Sequence, residues 1–401
     1  MRHRPHGVPA PAWRLGLAGF LATAVAFGPA RNGFGLFLPV FRQEFGLSTA
    51  VSGMIAGGAY VGYLLALSIV GLSAARIGSR TFLMIGGLSA TVGMVLVAVA
   101  GDTITLTAGL VLAASFAGWS WAPYNDTVEH EVPSSFRSRV LSAVSTGTSF
   151  GLAAAGFVVL AVTVWGLSWR VAWSGFAAAA LVVTLWNAAA LPAEDKSPSS
   201  ADDSEAGGRR WRRPGSTALF AAAFAAGILS GFHYSFSVDV VSRSAALPAE
   251  AGPVFFMVMG VAGSVGLLTG DAIADFGLRR VLAACFAFFG VTGLVLGAAP
   301  ASWITVGIAA TTLGAAIMGT SALLSTWSSL LFAEKASTGF SATLVFLGLG
   351  SVVGPVGLGA FAGRSSLEAA FLVAGGLGFV AAVGAAVTTP PGPSPEPSTG
   401  R

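Results

Sequence analysis

Twelve separate runs of about 20 predominantly apolar residues constrain this chain more than any other feature. A helix of that length spans the hydrocarbon core of a bilayer, and lipid cannot satisfy free backbone groups, so each run must be helical. The runs cover residues 15–40, 50–72, 80–100, 104–126, 140–165, 169–191, 216–240, 251–273, 279–298, 302–331, 337–362 and 367–388. We therefore predict an all-α, polytopic membrane protein.

The composition supports a surface that faces lipid. Charged residues make up 9% of the chain and hydrophobic residues 54%, whereas a soluble domain carries roughly 25% charged residues. The basic residues lie in short connectors, which fits membrane topology better than nucleic-acid binding. The single Cys285 and four histidines offer no metal cluster and no nucleophile–base set. We expect a lipid bilayer and a small-molecule solute as partners, with no nucleic acid, metal, cofactor or enzymatic site.

One long polar segment divides the chain. Residues 192–214 are rich in Ser, Pro and Asp and end in an arginine cluster, a composition that cannot bury a core. We predict a six-helix bundle over 1–191, a linker over 192–214, a second six-helix bundle over 215–388 and a disordered tail over 389–401.

Basic residues predict the orientation. With the N-terminus inside, 16 of the 21 Lys and Arg residues fall on cytoplasmic segments and 4 on outer segments, and Arg31 lies within the first span. This bias agrees with the positive-inside rule and with an even number of spans. We expect a monomeric, multi-pass protein of the cytoplasmic (inner) membrane with both termini in the cytoplasm.

The two halves resemble each other. Gly71, Gly78 and Arg80 follow the second span, and Gly270, Gly277 and Arg279 follow the eighth at a constant offset of 199 residues. Closely spaced glycines occur in spans two, five, eight and eleven, whereas polar side chains concentrate in spans one, four, seven and ten. Such internal repetition is typical of duplicated transporter folds.

With these features the chain resembles the major facilitator superfamily over residues 12–390. The resemblance implies two pseudo-symmetric six-helix bundles, with helices one, four, seven and ten lining a central cavity. The loops after spans two and eight resemble the family's gating motif, although Ala75 replaces the acidic residue of the first copy. The implied gating residues are Gly71, Arg76, Gly78, Arg80, Gly270, Asp275, Gly277, Arg279 and Arg280. The segment 33–48 resembles monocarboxylate-type carriers and an uncharacterised prokaryotic branch.

Arg31 is the single residue that most strongly indicates a functional site, because inserting a guanidinium within a span costs roughly 2.5–3.5 kcal/mol. One hypothesis is that Arg31 and Asn32 bind an anionic group of the solute. The alternatives are a structural pairing with Asp239, Asp126 or a carbonyl group, or a side chain close enough to the outer face to reach the surface.

Further polar and aromatic side chains of spans four, seven and ten are candidates for solute contact. They are Trp119, Tyr124, Asn125, His233, Tyr234, Ser321 and Trp327. His233, Asp126 and Asp239 are candidates for ion coupling, but coupling through the solute's own charge, or none, stays open.

The sequence thus favours a secondary transporter that works by alternating access on a small organic anion. The alternative is proton-driven efflux of a drug-like or secondary-metabolite compound, and the absence of proline from span five argues modestly against it.

Overall fold

The computed structural model describes residues 10–73, 76–191, 213, 215–244, 246–333 and 336–387, and it is all-helical over these ranges. The predicted linker and the C-terminal tail therefore lie almost wholly outside the described residues, as does Ala75. The described chain crosses the bundle twelve times, so Ala10 and Val387 lie at the same face. We call this the terminal face and the opposite one the distal face.

Ten of the twelve spans are uninterrupted helices. They are α2 (Thr49–Ser73), α3 (Ser79–Ala98), α4 (Thr103–Glu131), α5 (Ser134–Val164), α6 (Trp169–Ala190), α7 (Ser216–Ser242), α9 (Leu278–Ala298), α10 (Trp303–Leu331), α11 (Ala336–Arg364) and α12 (Leu367–Val387). Several of them begin or end beyond the apolar run that predicts them; α5, for example, starts at Ser134 rather than at residue 140.

The first and eighth spans contain irregular turns. Span α1 consists of Ala10–Val25, a π-helical turn over Ala26–Ala30, and Arg31–Phe45; α8 consists of Ala251–Gly263, a 3₁₀ turn over Ser264–Leu268, and Thr269–Phe276. Among the described residues, eleven helices are long and apolar enough to cross a membrane. The one span that is not among these eleven is α1, because the π-helical turn divides it into two shorter helices.

Helix contacts repeat between the two halves. In the N-terminal half α1 packs on α5, α2 on α4, and α3 on both α4 and α6; in the C-terminal half α7 packs on α11, α8 on α10, and α9 on both α10 and α12. The same pairs recur six helices further along the chain. This repetition agrees with the duplication that the loop glycines indicate.

Three helix pairs make most of the contact between the halves: α2 with α11, α5 with α8, and the second part of α1 with α7. Glycines allow the close approach. A Cβ at Gly53 would lie 2.3 Å from the Pro355 carbonyl oxygen, and one at Gly260 would lie 2.5 Å from the Ala153 nitrogen. Small residues let membrane helices pack backbone to backbone. The glycine-rich spans two, five, eight and eleven therefore form most of the contact between bundles.

Candidate functional site

A central cavity of about 400 Å³ lies between the two halves. On α2, α4, α5, α8, α10 and α11 the lining residues lie at the middle of the helix or nearer the terminal face, and the cavity reaches Phe340 close to the start of α11. Residues of α1, α7 and α9 complete the lining. A volume of this size suits a small molecule. The cavity therefore occupies the terminal half of the bundle.

Arg31 is the one formally charged side chain among the described residues that line the cavity. Its guanidinium carbon lies 4.4 Å from the ring centre of Tyr63, 5.2 Å from that of Tyr60 and 5.6 Å from that of Phe27. The Nε atom is buried without a hydrogen-bond partner. Aromatic faces attract a cation but leave its charge in place. Arg31 is therefore held by rings and not neutralised by any described residue.

The π-helical turn before Arg31 sets its position. Pro29 has no backbone N–H and disrupts the regular i→i−4 ladder, and the Arg31 N–H reaches back to the carbonyls of Ala26 and Gly28. The Asn32 side-chain amide donates to the carbonyl of Phe27. π-Helical turns are frequent at functional sites. Asn32 thus lines the cavity and also closes the turn that presents Arg31.

The rest of the wall combines hydroxyl groups with an apolar surface. Besides Tyr63 and Tyr234, the hydroxyl-bearing lining residues are Ser145, Thr146, Thr148, Ser149, Ser230, Ser264, Thr320, Ser321 and Ser325. Apolar side chains come mainly from α9, α10 and α11, including Phe289, Met318 and Leu344. Such a wall can accept neutral polar groups and a hydrophobic body.

Four of the predicted solute-contact residues line this cavity: Arg31, Asn32, Tyr234 and Ser321. The alternative pairing of Arg31 with Asp239 or Asp126 is wrong, because those carboxylates bind other groups. The prediction that every third helix forms the wall is incomplete, since α2, α5, α8, α9 and α11 also contribute. The hydroxyls of α5 were missed, although Ser145, Ser149 and the intervening threonines interrupt an apolar run.

The other candidates of α4 and α10 do not line the cavity. Trp119 stacks on Phe82 of α3 at 6.0 Å and donates from Nε1 to Ser115. The Tyr124 hydroxyl is buried against Asn187. These two side chains hold α4 within its own bundle.

Asn125 and Trp327 are also turned away from solute contact. The Asn125 amide donates to the Trp121 carbonyl at 2.9 Å, and Trp327 is buried with an exposed fraction of 2%. The neighbouring Trp121, in contrast, does line the cavity.

His233 is fully buried and does not reach the cavity. Its Nδ1 donates to the Leu229 carbonyl at 2.7 Å, and its ring packs on Phe232, Phe289 and Phe371 at centroid distances of 5.5–5.9 Å. Phe289 lines the cavity in its place. His233 therefore acts as a packing residue of the C-terminal bundle in this conformation.

The two carboxylates proposed for coupling are bound outside the cavity. Asp126 accepts a hydrogen bond from Ser79 at 2.6 Å and lies 3.4 Å from the His130 ring, near the terminal face. Asp239, near the distal face, binds the guanidinium groups of Arg42 and Arg243 at 2.8 and 2.7 Å. Neither carboxylate is available to Arg31.

The distal face is closed by contacts between α1, α2 and α7. Besides the Arg42–Asp239 pair, Arg243 donates to Thr49 at 3.1 Å. Gly35 packs directly against the backbone of Tyr234, where an added Cβ would lie 1.9 Å from the carbonyl oxygen. Gly35 and Tyr234 are separated by the 199-residue repeat offset. The two bundles thus touch at equivalent positions on the distal side of Arg31.

The two loops that the sequence predicts to act in gating lie at the terminal face. Gly78 precedes α3, Gly277 joins α8 to α9 with a positive φ of 80°, and Gly71 and Gly270 have open space around them. Arg80 donates to the Ala188 carbonyl of α6 at 2.7 Å.

The remaining charged residues of these loops, Arg76, Asp275, Arg279 and Arg280, are exposed. Their side chains make no hydrogen bond or ion pair to another described residue. These four side chains therefore do not latch the terminal face to any described residue in this conformation.

A twelve-span bundle in two repeated halves, with a central cavity closed at one face, defines a membrane transporter. The Major Facilitator Superfamily model matches residues 16–275. This match covers more than half of the sequence, so the chain belongs to that family.

Solved structures share the fold. A point mutant of the nucleoside transporter NupG superposes with a TM-score of 0.77 at 11% identity, covering 94% of this chain and 98% of that one. A bacterial homolog of the human lysosomal transporter Spinster, inward-facing and unoccupied, gives 0.72 at 15% identity over 94% and 97%. A point mutant of the peptide transporter POT gives 0.74 at 13% identity over 96% and 95%. A search of curated proteins finds no match.

Proposed function

We propose that this transporter carries a small organic anion, bound through its acidic group to Arg31. The observation that supports this most is the unneutralised guanidinium of Arg31, the one formal charge on the described cavity wall. The solved neighbours bear names of nucleoside, lysosomal and peptide transporters, and at 11–15% identity they carry no argument for the solute.

The chemistry of the wall favours an anion over a cation. Guanidinium and carboxylate groups form paired, charge-assisted hydrogen bonds, and the planar fork of Arg fits a carboxylate better than a point charge does. No described lining residue is acidic, so a cationic compound would meet repulsion without a counter-charge. Hydroxyls of α5 and α10 then face the polar part of the solute, and Met318 and Leu344 its apolar part.

We further propose that the terminal face is cytoplasmic, because 16 of 21 basic residues belong to that side in the twelve-span topology. The conformation described here is then open to the cytoplasm and closed to the outside. Alternating access requires a second state, in which the Arg42–Asp239 contact breaks and the terminal halves of the helices come together.

Uptake into proteoliposomes tests the proposal. A panel of radiolabelled organic acids, nucleosides, dipeptides and cationic drugs is offered to the wild type and to Arg31→Ala, Arg31→Lys and Arg364→Ala. Arg364 is an exposed distal arginine, so its variant controls for charge removal alone. We expect uptake of at least one acid, its loss in Arg31→Ala, partial retention in Arg31→Lys and normal uptake in Arg364→Ala. Two outcomes would contradict the proposal and favour drug efflux. One is transport of cationic drugs alone, and the other is equal acid uptake by the wild type and Arg31→Ala.

A further inference from the structure

Nothing on the described cavity wall can compensate the charge of Arg31 when the cavity is empty. The groups that pack around its guanidinium are Phe27, Tyr60 and Tyr63, and Tyr234 lines the cavity beside it. Phenols have an ordinary pKa of about 10 and stay neutral near pH 7. Asn32 contributes an amide whose N–H already binds the Phe27 carbonyl. The guanidinium therefore depends on water or a bound anion.

The titratable side chains of the surrounding helices are also out of reach. His233 on α7 is enclosed by phenylalanines and bonded to Leu229. Asp239 on the same helix binds two arginines at the distal face, and Asp126 on α4 binds Ser79. No described Asp, Glu or His lines the cavity. The described cavity wall thus has no acidic side chain whose deprotonated form could pair with Arg31.

Reorientation changes the surroundings of this cation. As the terminal face closes, the cavity shrinks and water leaves, and a buried charge without a partner is strongly unfavourable. A bound carboxylate removes that penalty because the pair has no net charge and shares hydrogen bonds. The empty carrier therefore faces a higher barrier to reorientation than the loaded one.

We propose that this transporter works as an anion exchanger: it reorients at a useful rate only with an anion on Arg31, in both directions. The inference rests on the anion-binding role of Arg31 proposed above. One monoanion moves inward for each monoanion that moves outward, so the cycle moves no net charge and no proton.

Counterflow in proteoliposomes tests the exchange. Uptake of radiolabelled lactate and of radiolabelled benzoate is measured into vesicles that are empty or preloaded with the same unlabelled acid. We expect initial uptake at least tenfold faster into preloaded vesicles. An imposed pH gradient or a potassium-diffusion potential should change the exchange rate by less than twofold.

A second experiment measures the change in conformation instead of transport. Ser235 lines a small chamber on the distal side of Arg31, so Ser235→Cys in a Cys285→Ala background reports opening of the distal face to a membrane-impermeant thiol reagent. Labelling should be slow without anion and rise at least fivefold with lactate or benzoate. Tyr63→Glu, which places a carboxylate beside Arg31, should give fast labelling without any anion.

The outcomes separate the two proposals. Arg31-dependent uptake that is as fast into empty as into preloaded vesicles, or that is driven by a proton gradient, overturns the exchange and leaves anion binding by Arg31 intact. Uptake of none of the organic acids of the panel described above, and no effect of any of them on labelling, in the wild type and in Arg31→Ala alike, overturns both.

Discussion

The carboxylate of Asp239 on α7 binds the guanidinium of Arg42 on α1 at 2.8 and 3.1 Å, and this contact joins the two bundles at the distal face. Asp239 is almost fully buried, and it also binds Arg243 on its own helix. Arg243 in turn donates to Thr49 on α2. A single carboxylate therefore organises the distal closure, which explains why it is absent from the cavity.

Asp239→Asn should weaken this closure. The amide lacks the charge that holds two arginines, and a hydrogen bond to a charged group contributes about 2 kcal/mol, which corresponds to a roughly 30-fold shift between the two conformations. We expect faster labelling of Ser235→Cys from the distal face and slower solute release at the terminal face.

Asp239→Glu is the matched control for this prediction, because it keeps the charge and moves it by one methylene. Its labelling should stay near that of the parent. Equal labelling rates in Asp239→Asn and the parent protein would show that the ion pair does not hold the distal face closed.

Gly35→Ala should prevent close approach of α1 and α7. The added methyl group would collide with the Tyr234 carbonyl oxygen, and overpacking of this kind costs about 1–3 kcal/mol. The thermal unfolding temperature of the purified protein should fall by several degrees. Gly376→Ala in α12, where the added Cβ meets open space, should leave it unchanged. Equal unfolding temperatures for the two variants would refute this role of Gly35.

Tyr63→Leu should weaken anion binding without removing the binding charge. Tyr63 provides the ring nearest to the Arg31 guanidinium, and a desolvated cation–π contact contributes about 1–2 kcal/mol. We expect the Kd for the transported acid to rise by roughly 5- to 30-fold. Tyr63→Phe keeps the ring and should bind within about threefold of the wild type. Equal weakening in both variants would assign the effect to the hydroxyl group instead.

His233→Phe should preserve transport and its pH profile. The histidine occupies an aromatic cluster with Phe232, Phe289 and Phe371, and a phenylalanine fits the same surroundings. Initial uptake rates measured from pH 5.5 to 8 should keep their shape. If the wild type shows proton-driven uptake and the normally folded His233→Phe variant does not, His233 is the coupling residue and this prediction is wrong.

The sequence predicts the fold well because the constraint comes from the bilayer. Apolar runs of the right length place all twelve spans, and the glycines of spans two, five, eight and eleven identify the helices that join the bundles. The turns over Ala26–Ala30 and Ser264–Leu268 are not predicted. Pro29 marks the first, but hydropathy does not distinguish a π-helical turn from a regular helix.

The sequence predicts only part of the candidate site. Arg31 stands out because its insertion is costly wherever its side chain points. Trp119, Tyr124 and His233 share helices with cavity residues, yet each faces its own bundle. Neighbouring positions on a helix point in different directions, so Trp121 lines the cavity and Trp119 does not. The rotation of each helix about its axis decides which side chains contact the solute and which are buried in the bundle, and this rotation is set by packing.

The most direct test of the central claim is equilibrium binding of the transported acid to purified protein, measured by isothermal titration calorimetry in wild type, Arg31→Lys and Arg31→Ala. If Arg31 binds the anionic group, Kd should rise at least 30-fold in Arg31→Ala and less in Arg31→Lys, with thermal stability retained. The same Kd in wild type and Arg31→Ala would contradict the account.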